Sequence, residues 1–358
     1  MSRKPILALT SDWHCQPGAW VKSNTPKGDS FYALRQFYQF CVEYQVDLVG
    51  AGDLTDVERP DSETLRRVFS FFDDMRRADR RTFFTTGQHD RATPPYFSLH
   101  SHPMHLTPRR TTARGINIVG LDHTPADRLQ QAIDALPRGA ELLVCHQVWG
   151  DFMGYGAEGR LEQLCYPAGP DVVLTGDYHV HKTLELPGRT KVLSPGSTCL
   201  QDISEPREKA FFVLYDDLSV DSVPLKTRRV VDFEIRTEDD LNTFVRGVKD
   251  DFLEPRPDVP PEMQKNVIYV QCGDVPEAYR RVAKAVGDKA FLFWKSTAET
   301  PVTVLDGDAV DEKAARGLDG CLEEFAPEGS PVYQSVLRML KAADKKAEVG
   351  RMAKDYRG

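Results

Sequence analysis

The first apolar run of the chain, Ile6-Leu7-Ala8-Leu9-Thr10-Ser11, closes on Asp12-Trp13-His14. A carboxylate and an imidazole two positions apart in extended chain project to the same side. There they offer one hard and one borderline ligand to a metal ion. Four later segments end the same way: Gly52-Asp53, Gly87-Gln88-His89-Asp90, His146 after Leu142–Cys145, and Gly176-Asp177-Tyr178-His179-Val180-His181. A carboxylate such as Asp53 can bridge two cations while imidazole nitrogens fill the remaining positions. Two cations roughly 3.5–4 Å apart can activate water and hold both oxygens of an in-line phosphoryl displacement. Mixed nitrogen and oxygen donors suit Mn2+, Fe2+ or Zn2+ better than Mg2+. The glycines before the ligands let the backbone turn sharply. All nine histidines lie between positions 14 and 181, which assigns the chemistry to the first half of the chain.

The elements that must position these residues are short apolar runs without helical period, which read as buried strands. Val46–Asp53 and Arg81–Thr86 follow the first, with later strands at Ile116–Val119, Glu141–Cys145 and Asp171–Thr175. Asp29 or Ser30 caps a helix from Phe31 to Tyr44, and a charged helix runs from Ser62 to Ala78. This βα alternation predicts a largely parallel sheet with helices on its faces, and places the five strand ends on one rim of it. Extended segments at 183–186, 191–193 and 210–215 predict a second sheet packed on the first. A new α/β pattern begins near Arg229, where Thr237-Glu238-Asp239-Asp240 resembles a capping box. The last sixty residues read as two helices, 309–325 and 332 to near the end. The expected architecture is therefore α/β in three regions: a core over 1–225, a small α/β cap over 226–300, and a helical extension over 301–358.

Composition narrows the function classes. A net charge of −8 argues against a broad, sequence-blind basic surface for nucleic acid, though clustered carboxylates neutralised by metal remain compatible with a phosphodiester substrate. Seven scattered cysteines without a Cys-x-x-Cys suit a reducing compartment. No apolar run approaches the roughly 18 residues of a membrane span. The opening Met1-Ser2-Arg3-Lys4-Pro5 leads into a strand without a signal-peptide region. The expectation is a soluble cytoplasmic protein, in a bacterial cell or in a host cell if virus-encoded.

The five motifs in this order resemble those of the calcineurin-like metallophosphoesterase superfamily, and more closely its SbcD-type nuclease subunits. Their pattern is Asp-x-His, Gly-Asp, Gly-Asn-His-Asp, His, Gly-His-x-His. Ser194-Pro195-Gly196-Ser197 after the last motif is similar too, and the resemblance spans about residues 4–215. It implies a four-layer αββα core. Asp12, His14, Asp53 and His179 would hold one metal, and Asp53, Gln88, His146 and Asp177 the other. His89 would stand over the phosphate, stabilising charge or protonating the leaving oxygen, with Asp90 orienting its ring. Two positions depart from the pattern: Gln88 stands where it has Asn, and Asp177 where it has the first His of the last pair. An alternative register makes His179 and His181 the pair. The implied function is a Mn2+-dependent DNA nuclease subunit, an exonuclease on duplex and an endonuclease on single strands, in repair, recombination or replication. It would work as a homodimer with an SbcC-type coiled-coil ATPase. Mg2+, Fe2+ or Zn2+ are alternatives to Mn2+.

Several residues also have plainer readings. His100, His102 and His105 form a tract that could bind metal but suits packing or solvation around Pro103. His123 follows a strand yet has no place in the motif order. The arginine pairs 66/67, 76/77 and 80/81 could meet phosphates or form solvated helix faces. Trp13 and Tyr178 could stack on a base, with packing beside the site as the alternative. The rival functions are a phosphomonoesterase or cyclic-nucleotide phosphodiesterase of the same superfamily, and a weakened scaffold that binds DNA ends.

Overall fold

The computed structural model describes residues 3–304 apart from 19–26, 108, 154–156, 165–168, 189, 248–251, 254–255, 258 and 297–302. The two helices expected beyond 308 lie outside the described residues. The chain divides into two compact units. One runs to Val230 and takes back Glu254–Val267, and the other holds Val231–Leu253 and the chain from Ile268.

In the first unit the order is β1 (Pro5–Ser11), α1 (Asp29–Tyr44), β2 (Asp47–Ala51), α2 (Ser62–Arg77), β3 (Thr82–Thr85), β4 (Met104–His105), β5 (Arg110–Ala113) and β6 (Ile116–Leu121). Then come α3 (Ala126–Asp134), β7 (Leu142–His146), α4 (Gly150–Met153), β8 (Val172–Gly176), β9 (Lys182–Glu185), β10 (Lys191–Ser194), β11 (Lys209–Tyr215) and β12 (Val220–Leu225). They build two six-stranded sheets, β12-β11-β1-β2-β3-β4 and β5-β6-β7-β8-β10-β9.

The motif-bearing strands are thus shared between two sheets, not carried by one as expected. β1, β2 and β3 belong to the first, and β7 and β8 to the second. The 210–215 strand, expected in the second sheet, instead lies antiparallel to β1. The reason lies in the inner faces. Leu7, Leu9, Val49 and Phe83 meet Ile118, Leu142, Val144 and Leu174 in one buried cluster. Helices α1 and α2 cover the outer face of the first sheet through Phe37, Cys41, Phe72 and Met75. Leu129 and Ile133 of α3 cover the second against Val119, Leu143 and Val173. Each central strand is buried on both faces, so its sequence is a continuous apolar run. The layers are αββα.

Helix α2 is capped by Asp61, whose carboxylate accepts from Thr64 N at 2.7 Å. Helix α1 departs from expectation. Gly28, at φ 86°, is its N-cap, and Asp29 is already helical. The Asp29 carboxylate accepts from Arg228 instead, at 2.8 Å, with both side chains buried. Removing one partner of such a pair costs ~3–5 kcal/mol, because the other charge is left buried alone.

Register brings the chemistry to one level. Ser11 pairs with Ala51 and Ala51 with Thr85, so β1, β2 and β3 end side by side. In the other sheet His146 pairs with Gly176.

The second unit is a sheet in the order β13 (Val230–Ile235), β14 (Val267–Cys272), β15 (Phe291–Ser296) and β16 (Thr303–Val304), with α5 (Glu238–Gly247) and α6 (Ala278–Val286). Ile235, Leu241, Phe244, Ile268, Val270 and Val282 form its core. The capping box is present: Asp240 N donates to Thr237 Oγ1 at 3.2 Å, and Thr237 N to Asp240 Oδ2 at 2.9 Å. Among the described residues no helix is long and apolar enough to cross a membrane.

Candidate metal centre

The strand ends are laced by backbone hydrogen bonds that leave their side chains pointing at one another. Asp12 N donates to Gly52 O at 3.1 Å, His14 N to Asp53 O at 2.9 Å and Cys15 N to Leu54 O at 3.0 Å. From the second sheet, Asp177 N donates to Asp12 Oδ1 at 3.0 Å. His89 N donates to Asp53 Oδ1 at 2.9 Å. Asp12, His14, Asp53 and Asp177 all have left-handed backbone, with φ of 49°, 42°, 48° and 74°. That region is unfavourable for residues with a side chain, and such strain concentrates at functional sites. Gly87 is needed for space: a Cβ there would lie 2.1 Å from Asp53 Oδ1.

Two groups of donors share Asp53. His14 Nε2 and His179 Nε2 face each other at 3.1 Å, with Asp12 Oδ1 3.6 Å from the His179 nitrogen and Asp53 Oδ2 3.8 Å from that of His14. On the other side of Asp53, His146 Nε2 lies 3.4 Å from Asp53 Oδ2 and 4.0 Å from Asp177 Oδ1. Gln88 Nε2 donates to that same Asp177 oxygen at 2.5 Å. Asp12 Oδ2, Asp53 Oδ2, Gln88 Oε1 and His146 Nε2 are buried without a hydrogen-bond partner. Buried polar atoms are nearly always paired, and these four converge with the two facing imidazoles. The donor set fits divalent cations, and the trios Asp12–His14–His179 and Asp12–Asp53–His146 each have ligand atoms within 4.8 Å of one another.

Two of the imidazoles are turned inward by partners on their other nitrogens. His146 Nδ1 meets the Ala51 carbonyl at 2.7 Å, and His179 Nδ1 meets Glu205 Oε1 at 2.7 Å. Asp56 Oδ1 lies 3.1 Å from His14 Nδ1. The hydrogen bonds to His146 and His179 fix the tautomer and turn Nε2 toward the centre, whereas Asp56 stands beside His14 Nδ1 as a charge outside hydrogen-bond geometry. Glu205 is itself clamped by Lys209 Nζ at 2.7 Å and Ser197 Oγ at 2.8 Å. Asp56, Glu205 and the Ala51 carbonyl were not found from sequence. A carbonyl has no sequence signature, and neither acid stands in a ligand motif.

Electrostatics follow from this crowding. Burial opposes charge on Asp53, yet His146, His14 and His89 hold its carboxyl well below the usual range. Burial also opposes charge on His146, but Asp53, Asp12 and Asp177 draw it up to about 10. A cation at Nε2 would take the place of that proton. Burial dominates at Asp177 and raises it, with His146 and the Gln88 hydrogen bond working against the rise.

His89 is the accessible imidazole of the centre, its side chain 39% exposed and its Nε2 3.8 Å from Asp53 Oδ2. Its Nδ1 meets the Asp56 carbonyl at 2.6 Å, so Asp56 and not Asp90 orients the ring. Asp90 accepts from the backbone N–H groups of Leu54, Thr55 and Gly87 at 3.1–3.2 Å, tying two strand-end loops together. Its carboxyl is raised to about 6 by burial and by the Asp53 charge, against those donors. Its carboxylate is thus engaged by three backbone amides.

His181 is not brought to the centre. Its Nδ1 meets the Pro195 carbonyl at 3.0 Å, its Nε2 meets Ser222 at 2.8 Å, and its ring stacks on Phe212 at 4.2 Å. His100 and His105 pack on Phe72 and Phe84 and lie beside Asp73 and Asp122. Trp13 is fully buried and donates to Thr10 Oγ1. Tyr178 packs on Phe152. Arg67, Arg76 and Arg77 pair with acids of their own helix. His123 sits beside the centre, with its Nε2 2.7 Å from Glu158.

Residues 6–181 match the family model of calcineurin-like phosphoesterases. The chain therefore carries a calcineurin-like metallophosphoesterase domain. Among curated proteins it is similar to the DNA double-strand break repair protein Mre11 of Methanosarcina mazei, 26% identical over 229 residues, covering 60% of this chain and 36% of that protein. The Mre11 of Methanosarcina acetivorans is 26% identical over 230 residues, 60% of this chain and 37% of that protein. The match thus spans little more than a third of the length of these relatives. Among solved structures, TT1561 of Thermus thermophilus aligns with a TM-score of 0.42 at 16% identity, over 62% of this chain and 100% of that one. A structure described as a novel archaeal phosphodiesterase aligns with a TM-score of 0.36 at 12% identity, over 61% of this chain and 99% of that one.

Proposed function

We propose that this chain is a metal-dependent phosphodiesterase that cuts DNA. One observation carries the reading: the buried, unpartnered atoms of Asp12, Asp53, Gln88 and His146 converge with the facing nitrogens of His14 and His179 at one rim. In this reading Asp12, His14, Asp53 and His179 hold one divalent cation, and Asp53, Gln88, His146 and Asp177 the other. The cations, Mn2+ by preference, supply Lewis-acid charge for the phosphate and an activated water. The chain does the rest. Asp53 would belong to both positions, and Glu205 and the Ala51 carbonyl keep His179 and His146 aimed inward. His89 stands at the open side, where its imidazolium can hold the scissile phosphate or give its Nε2 proton to the leaving oxygen.

DNA is the substrate this reading favours, because both archaeal relatives are DNA double-strand break repair proteins and the motif spacing resembles SbcD-type subunits. The activity is exonucleolytic on duplex and endonucleolytic on single strands, in a homodimer with an SbcC-type coiled-coil ATPase. The test is metal analysis of the purified chain, followed by assays on end-labelled duplex and on p-nitrophenyl phosphate with Mn2+. Bound metal with duplex cleavage is expected. Hydrolysis of p-nitrophenyl phosphate alone would assign a phosphomonoesterase, and bound metal without either activity a binding scaffold.

A further inference from the structure

The two positions that depart from the family pattern touch each other. Gln88 and Asp177 come from different sheets and are 89 positions apart, yet the amide of one donates to the carboxylate of the other. This hydrogen bond fixes the amide orientation, because Nε2 must face Asp177. Gln88 Oε1 is therefore the atom left buried and unpartnered. The longer glutamine reaches its shorter partner, and the two side chains act as one unit. The neighbouring His123–Glu158 pair is different in kind. Its nitrogen is already given to Glu158, and Glu158 also accepts from Gln147 and Val148 N, so it presents no comparable unpaired donor.

Donor counts then differ across Asp53. The first group offers two carboxylate oxygens, from Asp12 and Asp53, and the nitrogens of His14 and His179. The second offers three oxygens, from Asp53, Gln88 and Asp177, and the nitrogen of His146; His123, whose ring also has a nitrogen within 4.8 Å of the Asp177 carboxylate, gives its Nε2 to Glu158. Oxygen-rich sites suit Mg2+ and Mn2+, whereas imidazole suits Zn2+ and its neighbours.

We propose that the two cation positions are chemically inequivalent, and that Gln88 and Asp177, acting as a coupled pair, make the second discriminate for a hard cation against Zn2+. This rests on the two-metal reading above. The pair is a specificity device for the metal: Asp177 adds an anionic oxygen, and Gln88 adds a carbonyl oxygen that Asp177 orients.

Mn2+ binding followed by electron paramagnetic resonance, with Zn2+ as competitor, tests both layers. The wild-type chain should bind two Mn2+ and lose them to Zn2+ in two steps, separated by at least about tenfold in Zn2+ concentration. Asp177→His should bring the steps together, and Asp177→Glu, which keeps the oxygens, should leave them apart. Gln88→Asn should weaken the second position by about 10–100-fold in the wild-type background. In the Asp177→His background, where the hydrogen bond has no counterpart, it should do much less. Two bound Mn2+ displaced in a single step would overturn the inequivalence and leave the two-metal reading standing. Equal effects of Gln88→Asn in both backgrounds would overturn the coupling. Fewer than two bound Mn2+ in the wild type would overturn the two-metal reading and the inference with it.

Discussion

Glu205→Gln tests whether the ring of acids and bases behind the metal centre holds the fold as well as the ligands. Glu205 accepts from His179 Nδ1, Lys209 Nζ, Ser197 Oγ and Gln201 N at 2.7–3.2 Å, with its side chain 11% exposed. Burial opposes its charge, but His179 and Lys209 prevail and lower its pKa from 4.5 to about 2. A carboxylate lowered this far contributes roughly 3 kcal/mol of stability at neutral pH. The sign is that of a depressed acid: the contribution is complete above the unfolded value of 4.5 and fades as pH falls toward 2. Glutamine keeps the shape and removes the charge, leaving the buried Lys209 ammonium without its counter-charge. For a unit of this size the loss corresponds to a thermal midpoint lowered by roughly 6–12 °C at pH 7. At pH 3.5 the gap between wild type and variant should shrink by about 1 kcal/mol equivalent. Thermal unfolding of the full chain followed by circular dichroism at both pH values measures this. A midpoint within about 2 °C of wild type at pH 7, or a gap equally wide at pH 3.5, would refute the reasoning.

Three other outcomes are expected. His89→Ala should retain two cations by metal analysis while lowering the DNA cleavage rate by about 10²–10⁴; loss of metal would make His89 a ligand. Asp177→Ala should lose one cation and His181→Ala should keep both, since His181 is engaged by Ser222 and the Pro195 carbonyl. The reverse pattern in metal analysis would transfer the ligand role to His181. Truncation after Gly329 removes a segment with seven Lys or Arg against three Asp or Glu, whose sequence sets Val332, Val336, Leu340, Ala343 and Ala347 at near-helical spacing. It should leave metal binding intact and abolish association with a coiled-coil ATPase, and an undiminished pull-down would show that the segment serves its own chain.

Much of the candidate site was legible because it is local. An apolar run ending in Asp12-x-His14, Gly52-Asp53 or Gly87-Gln88-His89 states both a buried strand and what stands at its end. Helix starts were legible where the capping group is near in sequence, as at Thr237 and Asp240, whose side chains meet each other's backbone. At α1 the same reasoning failed because Asp29 is claimed by Arg228, 199 positions away.

What only the tertiary structure decided is everything that depends on which surfaces meet. A strand buried on both faces has the same apolar sequence in either sheet, so the division of the five strand ends between two sheets had no local signal. The partners that aim His146 and His179 are a backbone carbonyl and an acid outside any motif, each defined by proximity alone. The contact between Gln88 and Asp177 is of the same kind. Sequence shows two separate departures from a pattern, and folding makes them one hydrogen-bonded pair, because β3 and β8 end at the same rim from opposite layers.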